Sequence, residues 1–307
     1  MGTMNVLIFG GTGFVGRNLT EELLANGYQV YVVTRNPQKT ANSYENKVKV
    51  IEWDNSLPLT SIYELHEIEV VINLAGESIG NRRWSNSVKQ EILASRIRTT
   101  GSIVTAINNR TIQPKVLINA SAVGYYGPRQ DDEITECEEA GQDFLARVCR
   151  DWEHEVYKVQ RDLTRVVTIR IGVVLGSEGA LNRMAIPYKF YMGGPLGTGN
   201  QWISWIHIQD LTSMIRFVIE HQALTGPINA TSPEPVKMRD FSNVLGEILT
   251  RPSWLSTPEF LLKIALGQMA EMILHGQRVV PKKILSAGFK FRFPKLRAAL
   301  EDALRNK

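Results

Sequence analysis

A glycine-rich turn near the N-terminus is the segment of this sequence with the clearest chemical use. Residues 10–16 read Gly-Gly-Thr-Gly-Phe-Val-Gly and lie between an apolar run, residues 6–9, and an amphipathic stretch, residues 17–26. Glycines in such a turn permit a sharp reversal and a close approach of backbone amides to a phosphate, and the following helix offers free N–H groups to the anion. The turn therefore predicts a site for the pyrophosphate of a dinucleotide. An ordinary glycine turn is the alternative.

The end of the second apolar run distinguishes between the two nicotinamide dinucleotides. A site for NAD usually has Asp or Glu about 20 residues after the glycine turn, where the carboxylate binds ribose hydroxyls. This chain has Thr34 and Arg35 instead. A guanidinium pairs with the 2′-phosphate of NADP(H), and a charge-assisted bond of this kind contributes about 1.5–3 kcal/mol. Arg35 therefore predicts NADP(H), with a plain surface charge as the alternative.

Further contacts to the cofactor are expected where the next strands end. Four residues follow the third and fourth apolar runs: Asp54, Leu74, Ala75 and Gly76. Ligands bind outside the carboxyl ends of the strands in an open parallel sheet, so these residues share the predicted crevice. Glu91 and Arg96 lie in the first half of a long helical stretch, where they either face the cofactor or are exposed helix charges.

Composition argues against several other classes of function. The 307 residues are 43% hydrophobic, and 35 basic residues against 31 acidic ones give a net charge of +4 without a long run of one sign. This charge is too small and too evenly spread to argue for nucleic acid, and we expect no nucleic-acid partner. The two cysteines, Cys137 and Cys149, suit neither a disulfide framework nor a thiolate metal site, and no metal site is predicted. An export signal and an apolar segment of about 18 residues are not apparent, so we expect a cytoplasmic protein without a membrane partner.

The elements that must position these residues alternate along the chain. Short β-branched runs follow longer stretches of helical period, which predicts an α/β fold with a Rossmann doubly wound parallel sheet. Strands are expected over residues 6–9, 29–34, 48–53, 70–74, 115–120, 166–175 and 227–230. Helices are expected over residues 17–26, 87–108 and 209–221.

After residue 175 the pattern changes, which predicts a second, smaller lobe. Residues 192–199 form a glycine-rich loop, and from residue 231 the pattern is mainly helical. We expect a dinucleotide-binding domain over residues 1–175 and 207–230, and a helical substrate lobe over residues 176–206 and 231–307. An apolar helix starts with Thr257 as its N-cap and Pro258 at its first position, and Gly276 ends it. We interpret this helix as core of the small lobe, with a membrane-surface or partner helix as the alternative.

Several segments together resemble the extended short-chain dehydrogenase/reductase superfamily. Beside the glycine turn they are residues 73–76 (Asn-Leu-Ala-Gly), 121–127 (Ser-Ala-Val-Gly-Tyr-Tyr-Gly), 170–176 (Arg-Ile-Gly-Val-Val-Leu-Gly) and 204–210 (Ser-Trp-Ile-His-Ile-Gln-Asp). More narrowly, residues 152–153 (Trp-Glu), 193–210 and 276–281 (Gly-Gln-Arg-Val-Val-Pro) look like an atypical branch, the epimerase-family or sugar-nucleotide-epimerase-like proteins, which are mostly of unassigned activity. The resemblance covers nearly the whole chain.

The resemblance implies an NADP-binding Rossmann domain beside a substrate lobe. It implies a cofactor site at Gly10, Thr12, Gly13, Phe14, Val15, Gly16, Thr34, Arg35, Leu74, Ala75, Glu91, Arg96 and Val173. It also makes Ser121 the residue whose hydroxyl binds the carbonyl or hydroxyl group of a substrate.

The usual catalytic pair of this superfamily is not recognisable in the sequence. Typical members use a Tyr-x-x-x-Lys pair, and by resemblance these positions fall on Leu145 and Cys149. Leucine has no proton to exchange, and a thiol is not a fixed cation. Tyr125 and Tyr126 are the substitutes for the proton donor that the sequence offers, with packing or cofactor stacking as their alternative use. Cys149 is expected to be an inert helix cysteine rather than a nucleophile.

Two functions remain open on these grounds. One is an NADP(H)-dependent oxidoreductase or epimerase-like enzyme acting on a small carbonyl or hydroxyl substrate. The other is a non-catalytic NADP(H)-binding sensor or partner-binding protein, which the missing pair favours. His207 and Asp210 are expected to orient the nearby strand and cap the following helix. The sequence does not identify the substrate, and a homodimer is compatible with it.

Overall fold

The computed structural model describes residues 4–55, 58–59, 65, 67–160 and 162–305. Its strands are β1 (Asn5–Phe9), β2 (Gln29–Thr34), β3 (Lys49–Glu52), β4 (Val70–Asn73), β5 (Val116–Ala122), β6 (Glu133–Ile134), β7 (Arg165–Ile171), β8 (Val173–Leu175), β9 (Trp202–Ile203), β10 (Trp205–His207), β11 (Gly226–Ala230), β12 (Val236–Lys237) and β13 (Arg278–Val279). Its α-helices are α1 (Phe14–Ala25), α2 (Pro37–Ser43), α3 (Asn86–Asn108), α4 (Phe144–Val156), α5 (Ala180–Lys189), α6 (Ile208–Glu220), α7 (Met238–Leu249), α8 (Glu259–Leu266), α9 (Glu271–Leu274), α10 (Lys282–Ser286) and α11 (Leu296–Arg305).

Seven strands form the central sheet in the order β11-β7-β5-β4-β1-β2-β3. Every pair of neighbours in this sheet is parallel. Because the strands on the two sides of β1 wind in opposite directions, the carboxyl ends of β1 and β4 open a crevice between them. The predicted fold class, a Rossmann sheet with a mainly helical C-terminal region, is confirmed.

Alternation along β1 shows how the sheet is covered on both faces. Val6 and Ile8 belong to a buried cluster with residues of α1 and α6. Leu7 and Phe9 point the other way, into a cluster with residues of α3 and α4. Successive side chains of a strand face opposite sides, so a strand buried on both faces must be apolar throughout. This explains why the strand reads as an uninterrupted apolar run.

A third buried cluster lies outside the two faces of the main sheet. It contains Tyr188 of α5, Trp205 of β10, Phe241 of α7 and Leu300 of α11. The short pairs β8–β10 and β9–β12 accompany it. The division into two lobes stays a prediction, and a separate apolar cluster supports it.

The structure corrects two predicted boundaries in the dinucleotide-binding half. α1 begins at Phe14 rather than at residue 17. A single strand over residues 166–175 is wrong, since β7 ends at Ile171 and β8 pairs with β10 instead of joining the main sheet. At Gly172, which separates them, a Cβ atom would lie 2.5 Å from the carbonyl oxygen of Ser204. The close approach of this backbone, which only glycine permits, was not apparent from the apolar pattern.

The sequence suggested that the apolar C-terminal helix belongs to the core of the small lobe, and for α8 this prediction is wrong. Leu262 is buried in α8, but Phe260, Leu261 and Ile264 are exposed. The N-cap residue is Pro258 rather than Thr257, and α8 ends at Leu266. A 3-10 helix, Gly267–Ala270, and α9 follow it, so helical structure ends at Leu274, two residues before Gly276. The core positions of this lobe are filled by α5, α7 and α11 instead. The apolar pattern therefore predicted a helix correctly, but it did not predict that most of the apolar side chains of α8 are exposed.

Among the described residues, no helix combines the length and the apolar character that crossing a membrane requires. The same residues contain no group of three or more His, Cys, Asp or Glu side chains arranged to hold a metal ion.

Candidate cofactor and substrate site

The glycine turn after β1 packs against the segment that follows β4. Gly10 has a φ of +79°, and a Cβ atom there would lie 2.8 Å from the carbonyl carbon of Leu74. A Cβ atom at Gly16 would overlap the carbonyl oxygen of Gly10. Both positions therefore need glycine for the fold of the turn itself, whatever it binds.

Gly13 differs from these two glycines because the space beside it is open. Its φ is −77°, and among the described residues a Cβ atom there would approach only the carbonyl oxygen of Gly10, at 3.4 Å. The N–H of Arg17 donates to the carbonyl of Gly13 at 2.8 Å, so the amides of residues 14–16 precede the first bond of the helix. Unpaired amides at a helix start beside open space fit the pyrophosphate of a dinucleotide.

Arg35 directly follows β2 at the carboxyl edge of the sheet and is exposed. Within the described part of the chain, its guanidinium has no hydrogen bond or ion pair. The hydroxyl of Thr34 accepts from the amide of Asn36 at 3.1 Å and from the hydroxyl of Thr40 at 3.0 Å. Thr34 therefore fixes the turn, while Arg35 keeps all its donors for an anion such as a 2′-phosphate.

The segment after β4 rests on a buried polar network. The amide of Ala75 donates to the side-chain oxygen of Asn73 at 3.2 Å. The amide nitrogen of the Asn73 side chain donates to Asn119 at 2.7 Å and to Thr100 at 3.0 Å. These bonds join β4, β5 and α3 beneath the crevice. Leu74 and Ala75 are thus held by the fold, as a cofactor-facing segment requires.

The two charged residues predicted on α3 have different surroundings. Arg96 donates to the carbonyl of Glu77 at 3.0 Å, and a Cβ atom at Gly76 would lie 3.1 Å from its guanidinium carbon. Arg96 therefore supports the segment after β4. Glu91 is exposed and pairs with Arg82 at 2.6 Å. The structure does not bring Glu91 and Arg96 together.

The remaining residues predicted to contact the cofactor lie around the same edge of the sheet. A Cβ atom at Gly176 would lie 2.6 Å from the ring of Phe14, so the residues after the glycine turn contact the segment after β8. Val173 begins β8, and its amide donates to Ser204 at 2.8 Å. Asp54 is exposed beyond the end of β3, and Thr12 is exposed within the turn. Their roles in binding stay predictions.

Ser121 belongs to a buried, charged cluster. Its hydroxyl donates to Oε1 of Glu153 at 2.7 Å. Arg170 donates to both carboxylate oxygens of Glu153, from Nε at 2.9 Å and from Nη2 at 2.8 Å. All three side chains are buried. Burial lowers the pKa of Arg170, but the hydrogen bonds and charge of Glu153 outweigh burial and raise this pKa above its ordinary value. Arg170 therefore stays a cation.

The two tyrosines after β5 both lie beside the guanidinium of Arg170. Tyr126 is buried, and its hydroxyl donates to Asn229 at 2.6 Å and accepts from Arg170 at 2.9 Å. Burial raises the pKa of Tyr126 to about 12 despite the neighbouring Arg170. The ring of Tyr125 is half-buried, with its centroid 3.5 Å from the guanidinium carbon of Arg170. The Tyr126 hydroxyl is therefore already paired both as a donor and as an acceptor.

α4 presents Leu145 and Cys149 toward this cluster. A Cβ atom at Gly124 would lie 3.4 Å from the Cβ of Leu145. Cys149 is buried beside Ser121 and the backbone of Ala122. Burial raises the pKa of the Cys149 thiol to about 11, and the negative charge of Glu153 acts in the same direction. The thiol is therefore protonated near neutral pH and is a poor nucleophile.

His207 and Asp210 have structural roles at the start of α6. His207 caps the helix by accepting from the amide of Gln209 at 3.3 Å, and its Nε2 lies 3.2 Å from a carboxylate oxygen of Asp302. Burial lowers the pKa of His207 to about 4, so the ring is neutral. Asp210 accepts from the backbone amides of residues 292 and 293 at 2.7 and 2.9 Å. Capping by His207 agrees with the prediction, whereas Asp210 binds the C-terminal segment.

Glu153 and Arg170 were quoted in the sequence without a role, and the structure places both at the centre of the cluster. Arg170 is a buried charged residue near the end of strand β7, and Glu153 lies one helical turn after Cys149. A charge inside a buried strand requires a partner. That signal was available in the sequence, but the identity of the partner was not.

Taken with the sheet order, the turn after β1 defines a Rossmann-like nucleotide-binding protein. Residues 6–230 match the model of the NAD dependent epimerase/dehydratase family. Residues 257–303 match a domain of unknown function, DUF1731. The chain belongs to the NAD dependent epimerase/dehydratase family, and the resemblance stated from the sequence is confirmed.

Relatives share almost the whole chain. It is 41% identical over 304 residues to the epimerase family protein YfhF of Bacillus subtilis (strain 168), covering 98% of each chain. It is 40% identical over 307 residues to the epimerase family protein SDR39U1 homolog, chloroplastic, of Arabidopsis thaliana, covering 97% of this chain and 86% of that protein.

Solved structures extend the comparison. The human epimerase family protein SDR39U1 (isoform2) with NADPH is 34% identical, with a TM-score of 0.88 over 99% of this chain and 100% of that one. The UDP-glucose 4-epimerase of Thermotoga maritima with UDP-glucose has a TM-score of 0.79 over 98% of each chain at 16% identity, which shows a shared fold alone.

Proposed function

We propose that this chain binds NADP(H) at the carboxyl edge of the sheet and acts as an oxidoreductase or epimerase-like enzyme on a small carbonyl or hydroxyl substrate. The observation that carries the cofactor assignment is Arg35, an exposed cation at the end of β2 whose donors are free among the described residues. The human relative, whose structure contains NADPH, supports the same choice.

The chain's own residues divide the work of holding the cofactor. The open side of Gly13 and the amides of residues 14–16 bind the pyrophosphate, and Arg35 binds the 2′-phosphate. Leu74 and Ala75 line the crevice beside the glycine turn. When bound, the dinucleotide supplies or accepts a hydride.

Ser121 is the proposed contact for the substrate oxygen. Its proton is directed to Glu153, so its oxygen offers lone pairs to a hydroxyl donor on the substrate. Arg170 keeps Glu153 in place and charged through two hydrogen bonds. Tyr125 is the proposed proton donor, since its neighbour Tyr126 is buried with its hydroxyl already paired.

A specific observation favours a second function, a non-catalytic NADP(H)-binding protein. By the resemblance, Leu145 and Cys149 fall at the positions where typical members of the superfamily have tyrosine and lysine. Leucine has no proton to exchange, and burial keeps the Cys149 thiol protonated near neutral pH. Ser121 is also buried, with its hydroxyl engaged. In this second function the bound dinucleotide stabilises a conformation that a partner recognises.

A turnover screen separates the two functions once NADPH binding has been measured by calorimetry. Carbonyl compounds and nucleotide sugars are followed by NADPH absorbance with wild type, Ser121→Ala and Tyr125→Phe, and with Tyr191→Phe as a control for loss of an exposed phenol. General acid catalysis contributes about 10²–10⁴-fold, so Tyr125→Phe should lower kcat by that factor with NADPH affinity unchanged. Tight NADPH binding without turnover of any compound selects the non-catalytic function. Turnover that survives both Ser121→Ala and Tyr125→Phe contradicts the site assignment.

A further inference from the structure

A continuous series of buried hydrogen bonds connects the cluster around Ser121 with a segment near the C-terminus. Its members are, in order, Ser121, Glu153, Arg170, Tyr126, Asn229 and Val280. The Tyr126 hydroxyl donates to Oδ1 of Asn229 at 2.6 Å, and Nδ2 of Asn229 donates to the carbonyl of Val280 at 3.0 Å. The side chains that form the series are at most 4% exposed. Each donor and acceptor therefore depends on the next member of the series rather than on bulk water.

The segment that ends this series is held in place by several other bonds. We call residues 277–280 the β13 segment. β13 pairs with β6, and the amide of Val280 donates to the carbonyl of Ile134 at 2.9 Å. The amide of Val279 donates to the hydroxyl of Ser204 at 2.9 Å. The carbonyl of Val280 is therefore an acceptor in a fixed position.

This carbonyl fixes the direction of the neighbouring hydrogen bonds. A carbonyl oxygen only accepts, so the amide of Asn229 must turn its nitrogen to Val280 and its oxygen to Tyr126. The Tyr126 hydroxyl then donates its single proton to Asn229 and offers lone pairs to Nη1 of Arg170, at 2.9 Å. With the amide reversed, its NH₂ group would compete with Arg170 for the same lone pairs.

Glu136 connects Asn229 and Arg170 by a second route. Its carbonyl accepts from Nη1 of Arg170 at 3.3 Å, and its carboxylate accepts from the backbone amide of Asn229 at 3.1 Å. The same carboxylate accepts from the amide of Lys283 at 3.2 Å. Nη1 of Arg170 thus has two acceptors, while Nε and Nη2 donate to Glu153. Only the Tyr126 branch depends on the side chain of Asn229.

We propose that Asn229 is a positioning residue, which uses the β13 segment as a fixed support and orients Arg170 through Tyr126. The oriented Arg170 holds the carboxylate to which Ser121 donates, and it lies beside the ring of Tyr125. The β13 segment, which lies within the match to the domain of unknown function, thereby acquires a role in the site. The effect of Asn229 on turnover rests on the proposed enzymatic function, whereas its effect on Arg170 does not.

Nuclear magnetic resonance on the isotope-labelled full chain tests the effect on Arg170. The Nε–H signal of Arg170 is assigned by its absence in Arg170→Lys, and its exchange with water requires the N–H to leave Glu153. Asn229→Leu has a side chain of similar volume and removes both side-chain hydrogen bonds of Asn229. It should accelerate the exchange by at least about 10-fold, because the bond between Tyr126 and the charged Arg170 is no longer held in direction.

Thr231→Val is the matched control. The hydroxyl of Thr231 donates to the carbonyl of Val279 at 3.2 Å, so this variant also removes a buried hydrogen bond to the β13 segment. In the described part of the chain, Thr231 has no hydrogen bond to Tyr126 or Arg170, and the exchange rate should match that of wild type. Circular dichroism and melting temperature establish that each variant is folded, and Asn229→Ala replaces Asn229→Leu if the latter is not.

Turnover provides the second measurement, on any substrate that the screen of carbonyl compounds and nucleotide sugars identifies. Misplacement of a reacting group can cost about 10²-fold in rate, so Asn229→Leu should lower kcat by about 10- to 100-fold. KM and NADPH affinity should stay unchanged, and Thr231→Val should keep the kcat of wild type. A protein that turns over no compound but shows accelerated exchange in Asn229→Leu alone supports the positioning of Arg170 and contradicts only the enzymatic function.

Three results would overturn the proposal. Unchanged exchange in folded Asn229→Leu or Asn229→Ala shows that the Asn229 side chain does not orient Arg170. Equal acceleration in Thr231→Val shows that loosening of the β13 segment as a whole, and not Asn229, moves Arg170. Accelerated exchange with an unchanged kcat shows that the orientation of Arg170 does not matter for the reaction.

Discussion

At the carboxyl edge of the sheet, the turn after β1 presents backbone groups, whereas the cluster around Ser121 is built from charged and hydroxyl side chains. Gly10 and Gly16 allow the turn to pack closely, and Gly13 leaves a space open. In the cluster, the Glu153 carboxylate has protein partners on both oxygens and the Tyr126 hydroxyl has two. The turn is therefore ready to receive an anion, while much of the cluster's hydrogen-bonding capacity is already used.

This difference shows that binding and chemistry have separate requirements in this fold. A phosphate needs unpaired amides and space, and the turn provides both. Proton transfer needs a group that can change its protonation near neutral pH. Burial raises the pKa of Tyr126 to about 12 and that of Cys149 to about 11, which moves both away from that range. These pKa shifts suit Tyr126 and Cys149 to a structural role rather than to proton transfer.

The largest expected effect comes from removing one member of the buried ion pair. Glu153→Ala leaves the buried Arg170 without its carboxylate, and breaking such a pair costs about 3–5 kcal/mol. Urea denaturation should show this loss in the free energy of unfolding. Glu69→Ala is the control, because Glu69 pairs with the exposed Lys115 at 2.7 Å; its midpoint should stay close to that of wild type. Equal midpoints for the two variants would mean that the cluster does not stabilise the fold.

The glycines of the turn should separate binding from folding. Gly13→Val places methyl groups in the open space of the turn, so NADPH affinity should fall by about 100-fold, or about 2.8 kcal/mol, with the melting temperature unchanged. Gly16→Ala should instead lower the melting temperature, because its Cβ overlaps the Gly10 carbonyl. Calorimetric titration and thermal unfolding measure the two effects. Unchanged affinity in Gly13→Val would show that the phosphate binds elsewhere.

The two tyrosines sharpen the contrast within the cluster. Tyr126→Phe removes the donor to Oδ1 of Asn229 and one of the acceptors of Arg170, and an unsatisfied buried group of this kind costs about 1–3 kcal/mol of unfolding free energy. Tyr125→Phe keeps the ring over Arg170 and should leave stability unchanged within error. Both variants can be compared by urea denaturation. A larger loss in Tyr125→Phe than in Tyr126→Phe would contradict the assignment of structure to one and chemistry to the other.

The apolar runs were sufficient to predict the sheet, because strands that are covered on both faces are mainly apolar. They were not sufficient at residue 172, where a contact with Ser204, more than 30 residues away, breaks the strand. They also misplaced α8, because an apolar stripe indicates that a surface is to be covered but not whether the same chain covers it. The exposure of Phe260 and Ile264 depends on which helices fill the core of the lobe.

The site shows the same limit. A turn between a strand and a helix is specified by consecutive residues, and the glycine turn lies directly after β1 as expected, although α1 already begins at Phe14. The partner of the Ser121 hydroxyl, Glu153 of α4, lies 32 residues away in the sequence, and Glu153 is in turn bound by Arg170 of β7. Such a contact depends on the packing of a helix against the sheet, which no spacing rule supplies. Arg170 could be recognised as a buried charge in need of a partner, but Glu153 could not be singled out.

The measurement that tests the cofactor assignment most directly is calorimetric titration of NADPH and NADH into wild type and Arg35→Ala. Wild type should bind NADPH at least about 10-fold more tightly than NADH, because only NADPH has a 2′-phosphate that can pair with the guanidinium of Arg35. Arg35→Ala should lose most of this preference with NADH affinity unchanged. Lys47→Ala, which removes a cation before β3 at the opposite edge of the sheet, should keep it. Equal affinities of wild type for the two nucleotides, or a preference that survives in Arg35→Ala, would contradict the assignment.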